Sequence, residues 1–453
     1  MDCSWRSKDF GAARQVDGLP NNALEPVAKP EWFGQPRGLT ILFLTEMWDQ
    51  FSFFGMRALL VLYMTKHLLM AQSKASWIYG VYAATFYLTP VFGGIITDRW
   101  LTRRASVILG GVIMAAGHFM MASEDLLFVA LAAITIGNGL FLPSLPSQID
   151  SLYAHDDPRR KSAFNIYYVG INLGAFIAPI VIGTVGEAYG FHWGFTIAGL
   201  GMMIALITYV AGRQYLPPDP GPALLNRNDS AIAPQVVRAG LIRRSVLLIS
   251  IVGAVVVFRG AYEQLGNTVS LWADQSVDRT IASTMSIPVT WFQAMNPLMV
   301  FLFTPVLVAR WTQLAARDRE PSSIFKMVIG ATIVALAYFM IAAAAFWTQR
   351  YGGSVSWAWM ALFIIVMTVG ELYILPVGLG LFGRLAPPGL TATAIASWYF
   401  AGFFGNLLAG WLGTLWSTLS HGAFFALMGG VAMVAAGLLV LLVSKVSRAE
   451  RRT

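Results

Sequence analysis

The sequence predicts an all-α membrane protein whose twelve transmembrane helices form two six-helix bundles, with both termini in the cytoplasm. Three observations lead to this fold class: the composition, the number of long apolar runs, and the placement of the basic residues. Of the 453 residues, 57% are hydrophobic and only 12% are charged, whereas a typical soluble domain carries about 25% charged residues. This composition excludes a soluble fold and indicates a chain that crosses the membrane many times.

Twelve apolar segments are each long enough to cross a bilayer as a helix, which takes about 20 residues. They lie at roughly 39–69, 76–100, 105–122, 126–153, 161–187, 192–213, 243–272, 281–311, 323–347, 355–383, 390–418 and 421–445. The stretch between the sixth and seventh segments is rich in Pro and Asn, so it predicts a linker. The predicted order is a tail at 1–38, a bundle at 39–213, a linker at 214–242, a bundle at 243–446 and a tail at 447–453.

The basic residues fix the predicted orientation, because Lys and Arg accumulate in the cytoplasmic loops of membrane proteins. If the N-terminus is cytoplasmic, 25 Lys and Arg residues lie on the cytoplasmic side and 4 lie on the opposite side. The same topology explains the net charge of +8, so we expect no nucleic acid as a partner.

The composition also argues against enzymatic chemistry. The only cysteine is Cys3, and the five histidines are scattered along the chain. The sequence has no glycine-rich phosphate loop and no nucleophile, histidine and acid set. We therefore expect no enzyme, no metal site and no cofactor, and we expect any driving force to come from an ion gradient.

A charged stripe on the first helix is the strongest functional signal. The segment from Glu46 to Arg57 reads EMWDQFSFFGMR inside an apolar run. At 100° per residue, Glu46, Asp49, Gln50, Phe53 and Arg57 share one face over three turns. Charges at this depth are costly unless they face a protein interior or a wet cavity. The stripe therefore predicts a pathway for ions or solutes.

The loop after the second span indicates which membrane fold the chain adopts. Residues 93–104 read GGIITDRWLTRR, which resembles the signature loop of the major facilitator fold, with twelve helices in two six-helix bundles. In that fold an acid and basic residues latch neighbouring helix ends. The resemblance implies a latch of Asp98, Arg99 and Asp150. A solvated basic loop is the alternative interpretation.

Five segments, including the first-helix stripe, resemble motifs of the proton-coupled oligopeptide transporter family. The first-helix stripe is similar to that family's ExxERFxYYG motif, and the others are FNIYYVGINLGA in the fifth span, Tyr262-Glu263-Gln264 in the seventh, WFQAMNP in the eighth and GELYILPVGL in the tenth. The motifs occur in the family's order and on the expected helices, which makes the resemblance specific.

The resemblance implies import of di- and tripeptides driven by an inward proton gradient. It implies that Arg57 and Glu263 form an outer gate and that Glu371 receives the peptide's amino terminus, with help from Asn172 and Asn296. It also implies that Tyr87 and Trp398 line side-chain pockets. We expect Glu46, Asp49 and Glu263 to take part in proton coupling.

The chain departs from the family at two cations. Gln50 stands where the motif has an arginine, and Leu142 stands where the family has a lysine. Burial favours the protonated form of a carboxylate that lacks a cation. We therefore predict that Glu46 and Asp49 share a proton without exchanging salt-bridge partners. A structural role for Glu46, as a satisfied buried polar group, is the alternative.

Arg57 needs a partner, because an unpaired charge inside the membrane is expensive. Glu263 is the predicted partner in the gate, and a substrate carboxylate would replace it, since the guanidinium fork suits bidentate binding. Arg259 lies four residues before Glu263, so an intrahelical pair competes with the gate. Glu371 has a structural alternative as well, as a partner for a nearby polar group.

Two other functions remain open at this point: a transporter of another small solute, such as a drug or an organic anion, and a transport-impaired sensor. In all cases the lipid bilayer surrounds the chain. We expect a monomer in the cell (inner) membrane, with small peptides as the substrate.

Overall fold

A computed structural model describes residues 31–154, 157–218, 238–282, 285–386 and 391–450. Most of the predicted N-terminal tail, most of the predicted linker and residues 451–453 lie outside the described residues. The described part is almost entirely helical.

The first half of the chain contains six long helices. They are α1 (Arg37–Leu62), α2 (Gln72–Arg99), α3 (Arg103–Met120), α4 (Leu127–Ser144), α5 (Arg160–Tyr189) and α6 (Phe191–Gly212). A short antiparallel hairpin of β1 (Glu31–Trp32) and β2 (Gln35–Pro36) precedes α1. A π-helical turn at Tyr63–His67 extends α1 beyond its last α-helical residue.

The second half contains α7 (Arg238–Tyr262), the short α8 (Thr268–Ser276), α9 (Val289–Ala315), α10 (Ser323–Tyr351), α11 (Trp357–Leu385), α12 (Thr391–Thr414) and α13 (His421–Glu450). Four short strands lie between these helices: β3 (Val277–Asp278), β4 (Thr280–Ala282), β5 (Met285–Ser286) and β6 (Val355–Ser356). β3 pairs with β6 in parallel, and β4 pairs with β5 in an antiparallel hairpin.

Nine helices in the described ranges have the length and the apolar composition needed to cross a membrane. This result confirms an all-α membrane protein. The count of twelve spans and the sides of the two termini stay predictions, and so do the boundaries of the two bundles.

Proline and a helical break explain the main differences from the predicted spans. α9 begins at Val289 rather than near 281, because Pro288 precedes it with an extended backbone and the residue before a proline avoids the helical region. α4 ends at Ser144, and a 3₁₀ turn that begins at Pro146 follows it. The predicted seventh span is divided by a 3₁₀ turn at Glu263–Gly266.

Helix packing forms two groups that meet along two seams. In the first group α1 packs against α5 and α6, and α4 packs against α2 and α3. In the second group α10 packs against α11 and α13, and α7 packs against α12 and α13. The groups meet where α2 contacts α12 and where α5 contacts α9.

Glycines allow the closest of these approaches. A Cβ added at Gly93 of α2 would lie 1.9 Å from the carbonyl oxygen of Gly139 on α4. A Cβ added at Gly80 would lie 2.3 Å from Cα of Gly410, across the seam between α2 and α12. In a membrane, small residues are needed where helix backbones approach this closely.

The contact at Gly93 gives a test of the fold. Gly93→Ala should lower the free energy of unfolding by about 1–3 kcal/mol, because the added methyl group has no room beside the α4 backbone. Gly380→Ala is the matched control, since a Cβ there meets nothing within 4 Å. Thermal unfolding of both variants in detergent measures the difference. Equal midpoints for the two variants would show that the α2–α4 packing is wrong.

Candidate functional site

A cavity of about 210 Å³ lies between the two groups of helices. Side chains of α1, α2, α5, α7, α9 and α11 line it, together with the 3₁₀ turn that follows α7. Its polar lining includes Arg57, Tyr87, Asn172, Arg259, Glu263, Asn296 and Glu371. Six of these seven residues, all except Arg259, are site residues that the sequence predicts.

The cationic end of the cavity consists of two arginines that share one carboxylate. Arg57 donates from Nη2 to Oε2 of Glu263 at 2.7 Å, and Arg259 donates from Nη1 to Oε1 of Glu263 at 2.7 Å. The side chain of Glu263 is only 4% exposed. The two partners that the sequence left as competitors therefore bind the same carboxylate together.

Tyrosines support both guanidinium groups. Arg57 donates from Nε to the hydroxyl of Tyr79 at 2.7 Å and lies over that ring. Arg259 donates to the hydroxyl of Tyr87 at 3.3 Å and lies 5.1 Å from the centroid of its ring. The 3₁₀ turn at Glu263–Gly266 brings Glu263 to the point where α1 and α7 face each other.

The acidic end of the cavity is Glu371 on α11. Asn296 of α9 donates from Nδ2 to Glu371 at 2.6 Å and to the hydroxyl of Thr368 at 3.0 Å. Pro376 lies inside α11, and a proline in a helix leaves a carbonyl without its usual donor and bends the axis. The cavity lining therefore contains a cationic cluster and a second acid on another helix, and side chains of both halves line it.

Glu46 and Asp49 occupy a different environment from Arg57. Both carboxylates are 1% exposed and neither lines the cavity. Gln50 donates from Nε2 to Glu46 at 2.9 Å and to Asp49 at 3.2 Å, while the hydroxyl of Tyr167 donates to Glu46. Within the described residues, no cation contacts either carboxylate, and Oδ1 of Asp49 is buried without a hydrogen-bond partner.

The close approach of α5 to α1 explains why the predicted stripe divides into two environments. A Cβ at Gly174 of α5 would lie 2.2 Å from the carbonyl oxygen of Met47, and a Cβ at Gly170 would lie 3.0 Å from Phe43. α5 therefore covers α1 at Glu46 and Asp49, whereas Arg57 lies two to three turns further on and reaches the cavity. Only Arg57 of the charged residues in the predicted stripe therefore lines the cavity, and Glu46 and Asp49 do not.

Comparison with known proteins identifies the family. The family model of the POT family matches residues 104–234 and 239–427. The chain belongs to the POT family. It is 32% identical to the peptide transporter YePEPT of Yersinia enterocolitica, over 84% of this chain and 88% of the relative. It is 30% identical to a di-/tripeptide transporter of Lactococcus lactis subsp. cremoris, over 91% of this chain and 96% of the relative.

Solved structures of POT transporters share the fold. A crystal structure of a peptide transporter POT in complex with sulfate aligns with a TM-score of 0.84 at 28% identity, covering 93% of this chain and 97% of that one. A POT family transporter in complex with a thioalcohol-conjugated peptide aligns with a TM-score of 0.81 at 25% identity, covering 92% of this chain and 98% of that one. The family resemblance and the all-α membrane fold predicted from the sequence are both confirmed.

The predicted site residues Trp398 and Asn172 differ in their position relative to the cavity. Trp398 is not among the residues that line the cavity; its ring packs edge-on against Phe382 at 5.2 Å and fills the space beside Gly378. Asn172 does line the cavity, and its amide donates to the carbonyl of Tyr168 at 2.9 Å on the same helix.

The predicted latch is built from other residues. Asp150 pairs with Arg160 at 2.8 Å rather than with Arg99, and Asp98 and Arg99 are exposed. The loop is held instead by Arg103, which donates to the carbonyl of Ser147 at 3.0 Å, and by Arg104, which donates to the carbonyls of Leu216 and Pro217. These contacts join the α2–α3 loop to the turns after α4 and α6.

Glu187 is a functional candidate that the sequence analysis missed. It lies near the end of α5, and its carboxylate accepts the backbone N–H groups of Val289 and Thr290, each at 2.9 Å, and the hydroxyl of Thr290 at 2.8 Å. It thus caps the N-terminus of α9 in the other half. Trp291 adds a hydrogen bond to Thr184 at 2.7 Å.

The described residues contain several hydrogen bonds between the two halves, 31–218 and 238–450. All of them lie at the cavity or towards the helix ends opposite the linker. Besides those of Arg57, Arg259 and Glu187, they include Lys66 to Asp274, Ser76 to Asn267, Gln72 to Gly413 and Gln293 to Ala58. The molecule is therefore held closed at the end opposite the linker.

Removing the Glu187 cap should open that end. The loss of an N-terminal cap costs about 0.5–2 kcal/mol, which corresponds to a shift of about twofold to thirtyfold in the closed-to-open ratio. Glu187→Leu should raise the labelling rate of a cysteine at Phe54→Cys, in a Cys3→Ser background, by a membrane-impermeant reagent from that side.

Glu124→Gln is the control for this experiment, because Glu124 pairs with His67 at an exposed site within one half. Unchanged labelling in Glu187→Leu, or an equal rise in both variants, would contradict a role for Glu187 in closure.

Proposed function

We propose that this chain is a proton-coupled symporter that imports di- and tripeptides by alternating access. The observation that carries the proposal is the cavity between the halves, whose lining contains both a cationic cluster of Arg57 and Arg259 with Glu263 and a second acid, Glu371, bound to Asn296. A short peptide is a zwitterion with an ammonium group at one end and a carboxylate at the other. Glu371 suits the ammonium group, and a guanidinium suits the carboxylate in bidentate geometry.

The relatives support the peptide as substrate over a drug or an organic anion. Those at 30% and 32% identity are named as a di-/tripeptide transporter and a peptide transporter. A structural neighbour at 25% identity holds a thioalcohol-conjugated peptide. In this chain the walls of the cavity include Tyr168, Tyr262 and Pro297, which offer apolar surface for peptide side chains.

In the proposed cycle Arg57 and Glu263 form the gate on the outer side. Their salt bridge and the cap by Glu187 close the end that the basic-residue pattern assigns to the outside. When a substrate carboxylate engages Arg57, or when Glu263 is protonated, the bridge breaks and the halves separate on that side. Asn296 positions Glu371, and Tyr87 and Asn172 line the path of the ligand.

In this proposal the carboxylate pair of Glu46 and Asp49 binds the proton that is coupled to transport. Two ionised carboxylates that face the same amide at full burial repel each other, so the pair is stable when it shares a proton. The amide of Gln50 bridges both groups, and Tyr167 orients Glu46. Other family members carry cations at the positions of Gln50 and Leu142, and this chain has in their place a carboxylate pair that shares one proton and keeps one negative charge.

We also propose an oligomeric state, a location and a topology for the chain. The chain works as a monomer in the cell (inner) membrane, surrounded by lipid, with its N- and C-termini in the cytoplasm. It needs no cofactor and no metal, because the proton gradient supplies the free energy, and nucleic acid has no role. The apolar outer surface of the helices and the strong bias of basic residues to one side support this arrangement.

Neutralising the pair should uncouple transport. One pH unit is worth about 1.4 kcal/mol per proton, so one coupled proton supports about tenfold peptide accumulation per pH unit. Glu46→Gln and Asp49→Asn should bring accumulation in proteoliposomes close to onefold while peptide exchange persists. Asp125→Asn, at an exposed acid in the loop before α4, is the control. Full accumulation in both variants would refute the coupling role.

The bidentate role of Arg57 is tested by a charge-conserving change. Arg57→Lys should weaken dipeptide binding by about tenfold, because an ammonium group cannot make the paired hydrogen bonds of a guanidinium. Affinity measured in the purified protein checks this, with Lys66→Arg as the control at an exposed ion pair. Wild-type affinity in Arg57→Lys would exclude the bidentate contact.

A further inference from the structure

The two arginines of the cavity come from opposite halves. Arg57 is on α1 and Arg259 is on α7, and they are the only cationic side chains among the described residues that line the cavity. Arg57 already has a proposed role towards the ligand. Arg259 has none, and its side chain is 6% exposed.

Each arginine uses only part of its hydrogen-bonding capacity. Arg57 uses Nε for Tyr79 and Nη2 for Glu263, and Arg259 uses Nη1 for both Glu263 and Tyr87. Nη1 of Arg57 and Nη2 of Arg259 therefore have no hydrogen-bond partner within the described residues. Neither atom is among the fully enclosed polar atoms without a partner, so both stay open to the cavity.

The two arginines share one acid as a direct partner. Two guanidinium groups, which stay charged in proteins, each bind one oxygen of the carboxylate of Glu263. Glu371, the other acid in the cavity lining, forms no ion pair with either guanidinium among the described residues and accepts a hydrogen bond from Asn296 instead. A ligand carboxylate placed between the two free Nη atoms would give each arginine a second charged hydrogen-bond partner.

We propose that Arg259 is a substrate-binding residue and that, together with Arg57, it holds the carboxylate of the bound peptide. This inference rests on the proposed function. Arg259 and Glu371 belong to the same half, so that half holds both ends of the ligand, while Arg57 reaches the carboxylate from the other half. The site therefore selects ligands with a free carboxylate over the corresponding amides.

The test compares dialanine with dialanine amide as ligands for the purified full-length protein. Arg259→Gln should weaken binding of dialanine by about tenfold or more, the loss expected for a hydrogen bond between charged groups, and should change binding of the amide by much less. Arg259→Lys should lie between the wild type and Arg259→Gln, because it keeps the charge and loses the planar fork.

A second comparison separates direct contact from a role in holding Glu263. In a Glu263→Gln background, adding Arg259→Gln should still reduce dialanine binding selectively, since Arg259 then has no acid to hold. The double variant also removes one acid and one base together, so it leaves the net charge of the site unchanged.

The outcomes decide between the two proposals. An equal loss for both ligands, or the disappearance of the effect in the Glu263→Gln background, would overturn the contact between Arg259 and the carboxylate. The proposed function would survive either result, because the wild type would still bind and transport dialanine. A wild type that binds neither ligand would overturn the proposed function and this inference together.

Discussion

The architecture depends on one buried carboxylate that holds two guanidinium groups from opposite halves of the protein. Burying an ion pair is favourable only when the geometry is good and the hydrogen bonds are satisfied, and removing one partner leaves a costly charge. Arg259 lies on the same helix as Glu263, at the i, i+4 spacing. When the halves separate and Arg57 moves away, Glu263 therefore keeps a partner. The two halves can therefore separate here without leaving Glu263 unpaired. Only Arg57 needs a new anionic partner.

Helix packing places Glu46 and Asp49 in a different environment from Arg57, although all three residues lie on α1. Glu46 and Asp49 lie under α5, where Gly170 and Gly174 bring the two helices together, while Arg57 on the same helix reaches the cavity. Gln50 gives each carboxylate a hydrogen bond without adding a charge. A proton bound here is shielded from the cavity water, and a ligand bound at Arg57 does not touch it. α1 and α5 both reach from this pair to the cavity, since Tyr167 of α5 binds Glu46 and Asn172 of α5 lines the cavity, so the two helices together connect the two places.

The sequence was sufficient for an all-α membrane fold and for six of the polar residues that line the cavity. The motifs place Arg57, Glu263, Asn296 and Glu371 on known faces of long helices, and helical periodicity is reliable over such lengths. It failed where the outcome depends on how helices cross. The burial of Glu46 away from the cavity and the packing of Trp398 beside Gly378 follow from inter-helix contacts that have no periodic signal. The same applies to the shared carboxylate, because pairwise spacing presents Arg57 and Arg259 as rivals and only the three-dimensional arrangement lets Glu263 bind both.

The capping of α9 by Glu187 has a consequence for the energetics of switching. The two backbone N–H groups that it satisfies lie at the first turn of a helix, where water can replace a carboxylate as acceptor once a vestibule forms. Opening thus exchanges protein hydrogen bonds for hydrated ones instead of losing them. The cap therefore contributes only about 0.5–2 kcal/mol to the closed state, and a substrate with a modest differential affinity can offset that contribution.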